Sequence, residues 1–230
     1  MSSSRHSVRF PGETESYRAA RNQLLEAEVD LRRHLEAVAA QRRQLPLGGE
    51  TPDDYIFQEA SGTSSSATPV RLSQLFNHGK DTLIIYSFMF GPEMAAACPA
   101  CTSILDGLDG EAPHVQNRVN LAVVAKSPIP RIVQHARQRG WRNLRLLSSA
   151  NCTYNRDYHA ETAEGEQIPA LNVFVRRGGK IHHSYNTELL YAPFESGQDG
   201  RHVDLIWPIW NLFDLTPEGR GDKWHPRLSY

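Results

Sequence analysis

Apolar residues recur every three or four positions near the start of the chain: Tyr17, Ala20, Leu24, Ala27, Leu31, Leu35 and Val38. That spacing keeps them on one face, so it predicts a single long helix over residues 14–45. Six acidic and six basic side chains between Glu13 and Arg43 take the remaining positions, and Pro46 with Gly48-Gly49 stops the helix. Such a helix is either a coiled-coil arm joining two copies of the chain or a helix laid against its own domain. Residues 1–13 ahead of it read as a polar, flexible tail.

Beyond residue 50 the pattern changes from period 3.6 to short apolar runs. Tyr55-Ile-Phe57 predicts a short strand, residues 60–69 a loop, Val70-Arg-Leu72 an extended segment, and Ser73-Gln-Leu-Phe76 a capped helical turn. Thr82 to Phe88 and Val119 to Ala125 carry little polar interruption, which predicts strands buried on both faces. Between them lie a loop from Met89 to Ala97 and a helix of two to three turns that ends near Gly110. Pro130 to Gly140 is an amphipathic helix, with Ile132, Val133, His135 and Ala136 inward and Gly140 as its C-cap. Leu144 to Leu147 predicts a third strand, and residues 155–163 a weak helix in a polar stretch. Ala170 to Val175, a Gly178-Gly179 turn and Lys180 to Tyr185 predict a hairpin. A loop-rich insertion over 186–201 and an aromatic helix from Leu205 to Leu215 close the chain.

The alternation of strands and helices predicts an α/β domain over residues 50–185. Its central sheet should be mainly parallel, with the terminal hairpin adding an antiparallel edge. Residues 186–230 are expected to pack on that domain as an extension. Composition narrows the function. With 25 Lys plus Arg against 26 Asp plus Glu, the net charge is −1, which excludes a general binder of nucleic acid or anionic membrane. Hydrophobic residues at 40% suffice for a real core. The longest apolar run, Leu83 to Met89, is too short to span a bilayer. The first residues have no apolar signal region, so a cytoplasmic location is expected. Three cysteines are too few for a disulfide scaffold, and in a reducing compartment a close pair points to redox or metal chemistry.

That pair is Cys98-Pro99-Ala100-Cys101, placed between a buried strand and a helix. A cysteine at a helix N-terminus faces unpaired N–H groups and the positive end of the dipole. Both favour the thiolate, so Cys98 is expected to be the nucleophile with a lowered pKa. Pro99 suits the first helical position. Cys101, one turn on, would be the resolving thiol that releases a mixed disulfide.

The chain resembles the thioredoxin-like family known as domain of unknown function 899, whose members are predicted to be dithiol-disulfide oxidoreductases. The resemblance covers roughly residues 14–222. It rests on Phe88-Met-Phe-Gly-Pro-Glu93 ahead of Cys98-Pro-Ala-Cys101, on Gly140-Trp-Arg142, on Ser148-Ser149 with Tyr154-Asn-Arg-Asp157, and on Phe174 and His183-Ser-Tyr185. The tail Asn211 to Arg220, with Leu-Thr-Pro-Glu-Gly-Arg, completes it. The family usually carries Trp where Met94 stands, and the segment after Tyr185 is longer here. The resemblance implies a thioredoxin-like, peroxiredoxin-like mixed sheet flanked by helices. In that fold a cis proline lies against the active cysteines, and Ile168-Pro169 occupies its place. Phe90, Met94, Pro99, Ile168 and Pro169 are the expected substrate-site residues. His183, which matches the family pattern, is either a proton shuttle or a structural hydrogen-bonding group.

Other readings stay open. The thiols could be buried and inert, or could hold a metal with Cys152, His159, His182 or His183, copper included. A peroxidase would need a Thr three residues before the reactive Cys, where this chain has Ala95. Cys152 reads as a bystander or a second resolving thiol, and Arg156 with Asp157 as a solvated pair. Trp207, Trp210 and Phe213 read as core or interface. A binding module or a specialised small-molecule tailoring enzyme remains the alternative to an oxidoreductase acting on a disulfide or small-molecule substrate. No cofactor and no resident metal are expected. The electron donor is not specified, and the N-terminal helix is the candidate homodimer contact.

Overall fold

The structure, a computed structural model, describes residues 5–60, 67–77, 79–193, 196, 207–221 and 224–230. They fall into two units, Met1–Pro46 and Leu47–Tyr230. The first is helix α1 (Glu15–Arg43) with the residues before it. Thr14 caps it, its hydroxyl accepting the Tyr17 N–H at 3.1 Å, and Arg42 and Arg43 sit in the last turn at the negative end of the dipole. Within the tail, Arg5 forms a two-pronged pair with Glu26 at 2.7 and 2.6 Å, and Glu13 pairs with Arg18.

The second unit holds the sheet. Its elements are β1 (Ile56–Ala60), β2 (Ala67–Arg71), a 3-10 turn (Leu72–Leu75), β3 (Thr82–Phe88), α2 (Pro99–Arg118), β4 (Asn120–Ala125) and α3 (Ile129–Arg139). They continue with β5 (Leu146–Ser148), α4 (Tyr154–Asp157), β6 (Ala170–Arg177), β7 (Lys180–Asn186), a second 3-10 turn (Glu188–Leu190) and α5 (Pro208–Phe213). The strand order is β2-β1-β5-β4-β3-β6-β7.

The sheet is mixed, as the resemblance implies, with fewer parallel pairs than the alternation of strands and helices suggests. Only β3, β4 and β5 run parallel, while β1 joins β5, β2 joins β1, β6 joins β3 and β7 joins β6 antiparallel. Part of the stretch expected to be loop, residues 67–69, belongs to β2. Pro69 is tolerated there because β2 is an edge strand with one side unpaired. Gly178 and Gly179 both take positive φ (58° and 79°) in the tight turn between β6 and β7.

Each face of the sheet carries its own core. On β3, Leu83 and Ile85 point to one side and join Tyr55, Phe57, Tyr154, Tyr158 and Phe174. Tyr86 and Phe88 point to the other, toward Cys101, Leu105, Ile132 and Trp141. This is the period-2 alternation of a strand buried on both faces.

Helix α2 runs to Arg118, two turns past the expected stop near Gly110. It passes through Pro113, which has no N–H for the Asp109 carbonyl four residues back. The Asn143 side-chain amide takes that carbonyl at 3.0 Å. The Asp109 carboxylate in turn accepts the N–H groups of Arg142, Asn143 and Leu144 at 2.9, 2.8 and 3.2 Å. The weak helix expected over 155–163 shrinks to the single turn α4, because His159 takes a left-handed φ of 53° and turns the chain away. Leu205 and Ile206 of the expected closing helix lie outside the described residues. Trp207, ahead of α5, is buried and its indole N–H bonds Ser103 of α2 at 3.2 Å.

Candidate active site

Cys98 is the N-cap of α2, in extended conformation (φ −60°, ψ 124°), so its side chain faces the free N–H groups of the first turn. The Cys101 N–H points at Cys98 Sγ across 3.5 Å. Pro99 occupies the first helical position and is exposed. Cys101 lies one turn deeper and is only 2% exposed, and both thiols are free.

This placement drives the two thiols apart. The Cys101 thiol and the backbone N–H groups of Cys101 and Ala100 hydrogen-bond the Cys98 sulfur and outweigh its partial burial. Together they pull its pKa down to about 6. Cys101 moves well above the ordinary thiol range, because it bonds to Cys98 as the proton-bearing partner and is buried beside that charge.

The loop in front of Cys98 is held from α3. The Cys98 N–H closes it onto the Met89 carbonyl at 3.0 Å. The Arg131 guanidinium donates to the carbonyls of Gly91 (3.0 Å), Pro92 (3.1 Å), Met94 and Ala95 (3.3 Å) and lies 4.3 Å over the Phe90 ring. A planar fork of five donors suits converging carbonyls in a way an ammonium cannot. Arg131→Ala is expected to cost about 1–3 kcal/mol and to raise amide hydrogen exchange across residues 89–97. Arg131→Lys should restore little of either, as read by urea unfolding and exchange mass spectrometry.

The other expected site residues are dispersed. Phe90 is 4% exposed and packs on Phe88 and His135 with ring centres 5.8 and 5.6 Å apart. The Met94 sulfur accepts the Gly91 N–H at 3.1 Å, and Met94 lines a cleft of about 440 Å³ with Glu93, Lys126, Glu161 and Gln167. Ile168 lines a different cleft, of about 670 Å³, with Arg156, His159, Thr162 and Tyr191. The Ile168-Pro169 bond, at the place where thioredoxin-like folds carry a cis proline, is trans. The Ile168 N–H is bonded to the Ala160 carbonyl at 2.9 Å and Ala170 pairs with Ser87 in the sheet, so the chain runs extended between two fixed points.

His183 lies on the opposite face of the sheet from Cys101. Its Nε2 bonds Asn172 Oδ1 at 2.9 Å, its ring packs on Tyr158 and Phe174, and burial lowers its pKa. Cys152 packs against that same aromatic core, and burial pushes its thiol up. Asp157, rather than pairing with Arg156, accepts the Tyr55 hydroxyl at 2.9 Å and the Thr153 hydroxyl at 2.5 Å. His182 bonds the Gly48 carbonyl and His159 is exposed. Among the described residues, no group of three or more His, Cys, Asp or Glu side chains is placed to hold a metal ion.

Three residues beside the cysteines escaped the sequence reading of the site: Tyr86 under Cys101, Arg131 at the loop, and Thr102. The Thr102 hydroxyl donates to the Cys98 carbonyl at 2.9 Å and lies 3.3 Å from His135 Nε2. The available signal for Tyr86 was a phenol hydroxyl inside a strand with little polar interruption. Arg131 and Thr102 had none, since a base and a threonine on helices read as ordinary surface positions.

The strand–helix–strand unit β3-α2-β4 is parallel, a hairpin β6-β7 lies antiparallel on the far side of β3, and a CxxC opens α2. These features define a protein of thioredoxin-like fold. Within that class the chain belongs to the family described as bacterial protein of unknown function, DUF899, whose profile matches residues 7–230. No curated protein matches the chain.

Among solved structures it is similar to the reduced 2-Cys peroxiredoxin of Plasmodium vivax (18% identity, TM-score 0.48, 74% of this chain and 96% of that one). It is also similar to a peroxiredoxin-like protein from Aquifex aeolicus (12%, 0.43, 62% and 75%). A third is an uncharacterized thioredoxin-like protein from Porphyromonas gingivalis (21%, 0.41, 75% and 96%). No helix among the described residues is long and apolar enough to cross a membrane.

Proposed function

We propose that the protein is a dithiol-disulfide oxidoreductase, with Cys98 the attacking thiolate and Cys101 the resolving thiol. One observation carries the reading: an accessible helix-capping cysteine with a lowered pKa stands one turn ahead of a buried cysteine with a raised one. That asymmetry is what sequential exchange requires. The first sulfur must be a thiolate at neutral pH, while the second must keep its proton until a mixed disulfide has formed. The substrate is a disulfide, in a protein or a small molecule, that reaches the N-terminus of α2 beside Pro99.

The test is thiol alkylation against pH, combined with equilibration in a glutathione series. A depressed pKa puts Cys98 in its thiolate form above about pH 6, and reactivity is lost as pH falls through that value. Between roughly pH 7 and 8 its alkylation should be flat, where an ordinary thiol of pKa about 8.5 is still gaining rate. The pair should interconvert with its disulfide at roughly −120 to −270 mV. A pair that neither alkylates at pH 7 nor oxidises in the series would end this reading.

A further inference from the structure

We propose that the Tyr86 hydroxyl is a catalytic hydrogen-bond donor to Cys101, carrying that sulfur through its thiolate in the resolving step. The inference rests on the dithiol reading above and adds a residue to it. Tyr86 is 1% exposed on β3, on the face that packs against α2. Its hydroxyl is fully buried and makes no hydrogen bond in this structure, to oxygen, nitrogen or sulfur. It shares a buried core with Cys101, and Cys101 and Cys98 are the ionisable groups whose charge acts on it. A buried hydroxyl without a partner is costly, and phenylalanine would fill the same space without that cost. The fold therefore holds a donor in reserve beside the one sulfur that must become charged inside the protein.

The chemistry explains the need. The Cys98 thiolate displaces one thiolate from a substrate disulfide R–S–S–R′, leaving a Cys98–S–R′ mixed disulfide. Cys101 then gives up its proton, and its electron pair forms the Sγ–Sγ bond to Cys98. The Cys98–S–R′ bond breaks, and R′–S⁻ leaves with the electron pair and takes up the equivalent of the proton that Cys101 released. Two electrons pass from the dithiol to the substrate, which departs as R′–SH and R–S⁻, the latter taking a proton from solvent according to its own pKa. Burial opposes the Cys101 thiolate in that step. A pre-placed O–H directed at the developing charge offsets the opposition in a site closed to water.

Tyr86 keeps its own proton, since burial holds its phenol well above its ordinary range. It donates a hydrogen bond and does not act as the base. The other groups facing this pocket are Cys98 on α2 and, from α3, His135, which turns to Thr102.

The experiment is stopped-flow reaction of the reduced protein, with Cys152→Ser, and 5,5′-dithiobis(2-nitrobenzoate). The first nitrothiolate reports attack by Cys98 and the second reports resolution by Cys101. Tyr86→Phe should leave the first phase within about twofold. It should slow the second about 10- to 100-fold, the range for a hydrogen bond to a charged group, and move that phase's pH midpoint upward. A second phase with unchanged rate and midpoint overturns the proposal. If the parent protein releases no second equivalent, the dithiol reading fails, and the Tyr86 role fails with it. Should Tyr86→Phe not fold, global 3-fluorotyrosine labelling replaces it. The more acidic phenol should speed the second phase and leave the first, and no change overturns the proposal.

Discussion

Replacing Cys98 by serine should lower the rate of disulfide exchange by on the order of 10⁴-fold or more, the scale on which loss of a nucleophile acts. A serine hydroxyl is not ionised near neutral pH and cannot be made so by helix N–H groups that suffice for a thiol. The substitution is structurally mild. Serine is a favoured N-cap, and its oxygen can accept the Cys101 N–H that now points at sulfur. Thermal unfolding should therefore stay near that of the parent while activity against a small disulfide disappears. Cys101→Ser makes the complementary prediction: attack proceeds, resolution stops, and the mixed disulfide at Cys98 accumulates, visible as an intact mass increased by the bound thiol. Full exchange activity in Cys98→Ser would remove the proposed function.

The largest expected effect on stability belongs to Asp109→Ala. Asp109 is 9% exposed, and one of its oxygens accepts three successive backbone N–H groups, those of Arg142, Asn143 and Leu144. Alanine leaves those donors unpaired where α2 meets the turn before β5. At about 1–3 kcal/mol for each unsatisfied group, partly relieved by relaxation, the loss should be about 3–5 kcal/mol. Asp109→Asn keeps one acceptor oxygen and should lose clearly less. Urea unfolding reads both, with the midpoint falling at constant slope. A loss below about 1 kcal/mol for Asp109→Ala would mean that water or a local shift supplies the missing partners.

The two effects separate cleanly. Cys98 acts through the chemistry of one atom at a helix end, and its removal spares the fold. Asp109 acts through backbone groups about three turns further along the same helix. Its loss should reach the cysteines only through the seating of α2, so exchange activity per folded molecule should be retained.

The elements that carry the cysteines were legible in the sequence because their signals are local. Seven apolar-rich residues before a loop make β3 a buried strand, Pro99 marks the first helical position, and Cys98 then falls at the N-cap. Helix α3 was equally plain, with Gly140 closing it in the left-handed conformation (φ 78°). The lowered pKa of Cys98 also follows from that local geometry, since the groups responsible are its own first turn and the thiol one turn on.

What the sequence could not determine depends on residues far apart along the chain. Helix α2 continues past Gly110 because Asn143 satisfies a carbonyl that Pro113 leaves open. β2 exists because β1 offers it a partner, and the sheet gains a second antiparallel edge because β1 meets β5 antiparallel. Chain order does not dictate that meeting. Pro169 is trans, the isomer most X–Pro bonds take, and the position alone did not reveal it.

His183 matches the family pattern as well as any residue, yet pairing of β7 with β6 turns it onto the aromatic face, away from the thiols. Tyr86 travels the other way: a hydroxyl in a strand run is turned into the same buried core as Cys101. By itself the sequence determined the α/β class, the helix that presents Cys98 and the likeness to the DUF899 family. Those properties arise within a few residues of chain, through periodicity, caps and breakers. The tertiary structure decided which side chains surround the thiols, because a strand's alternation becomes inside or outside only once its neighbours are in place.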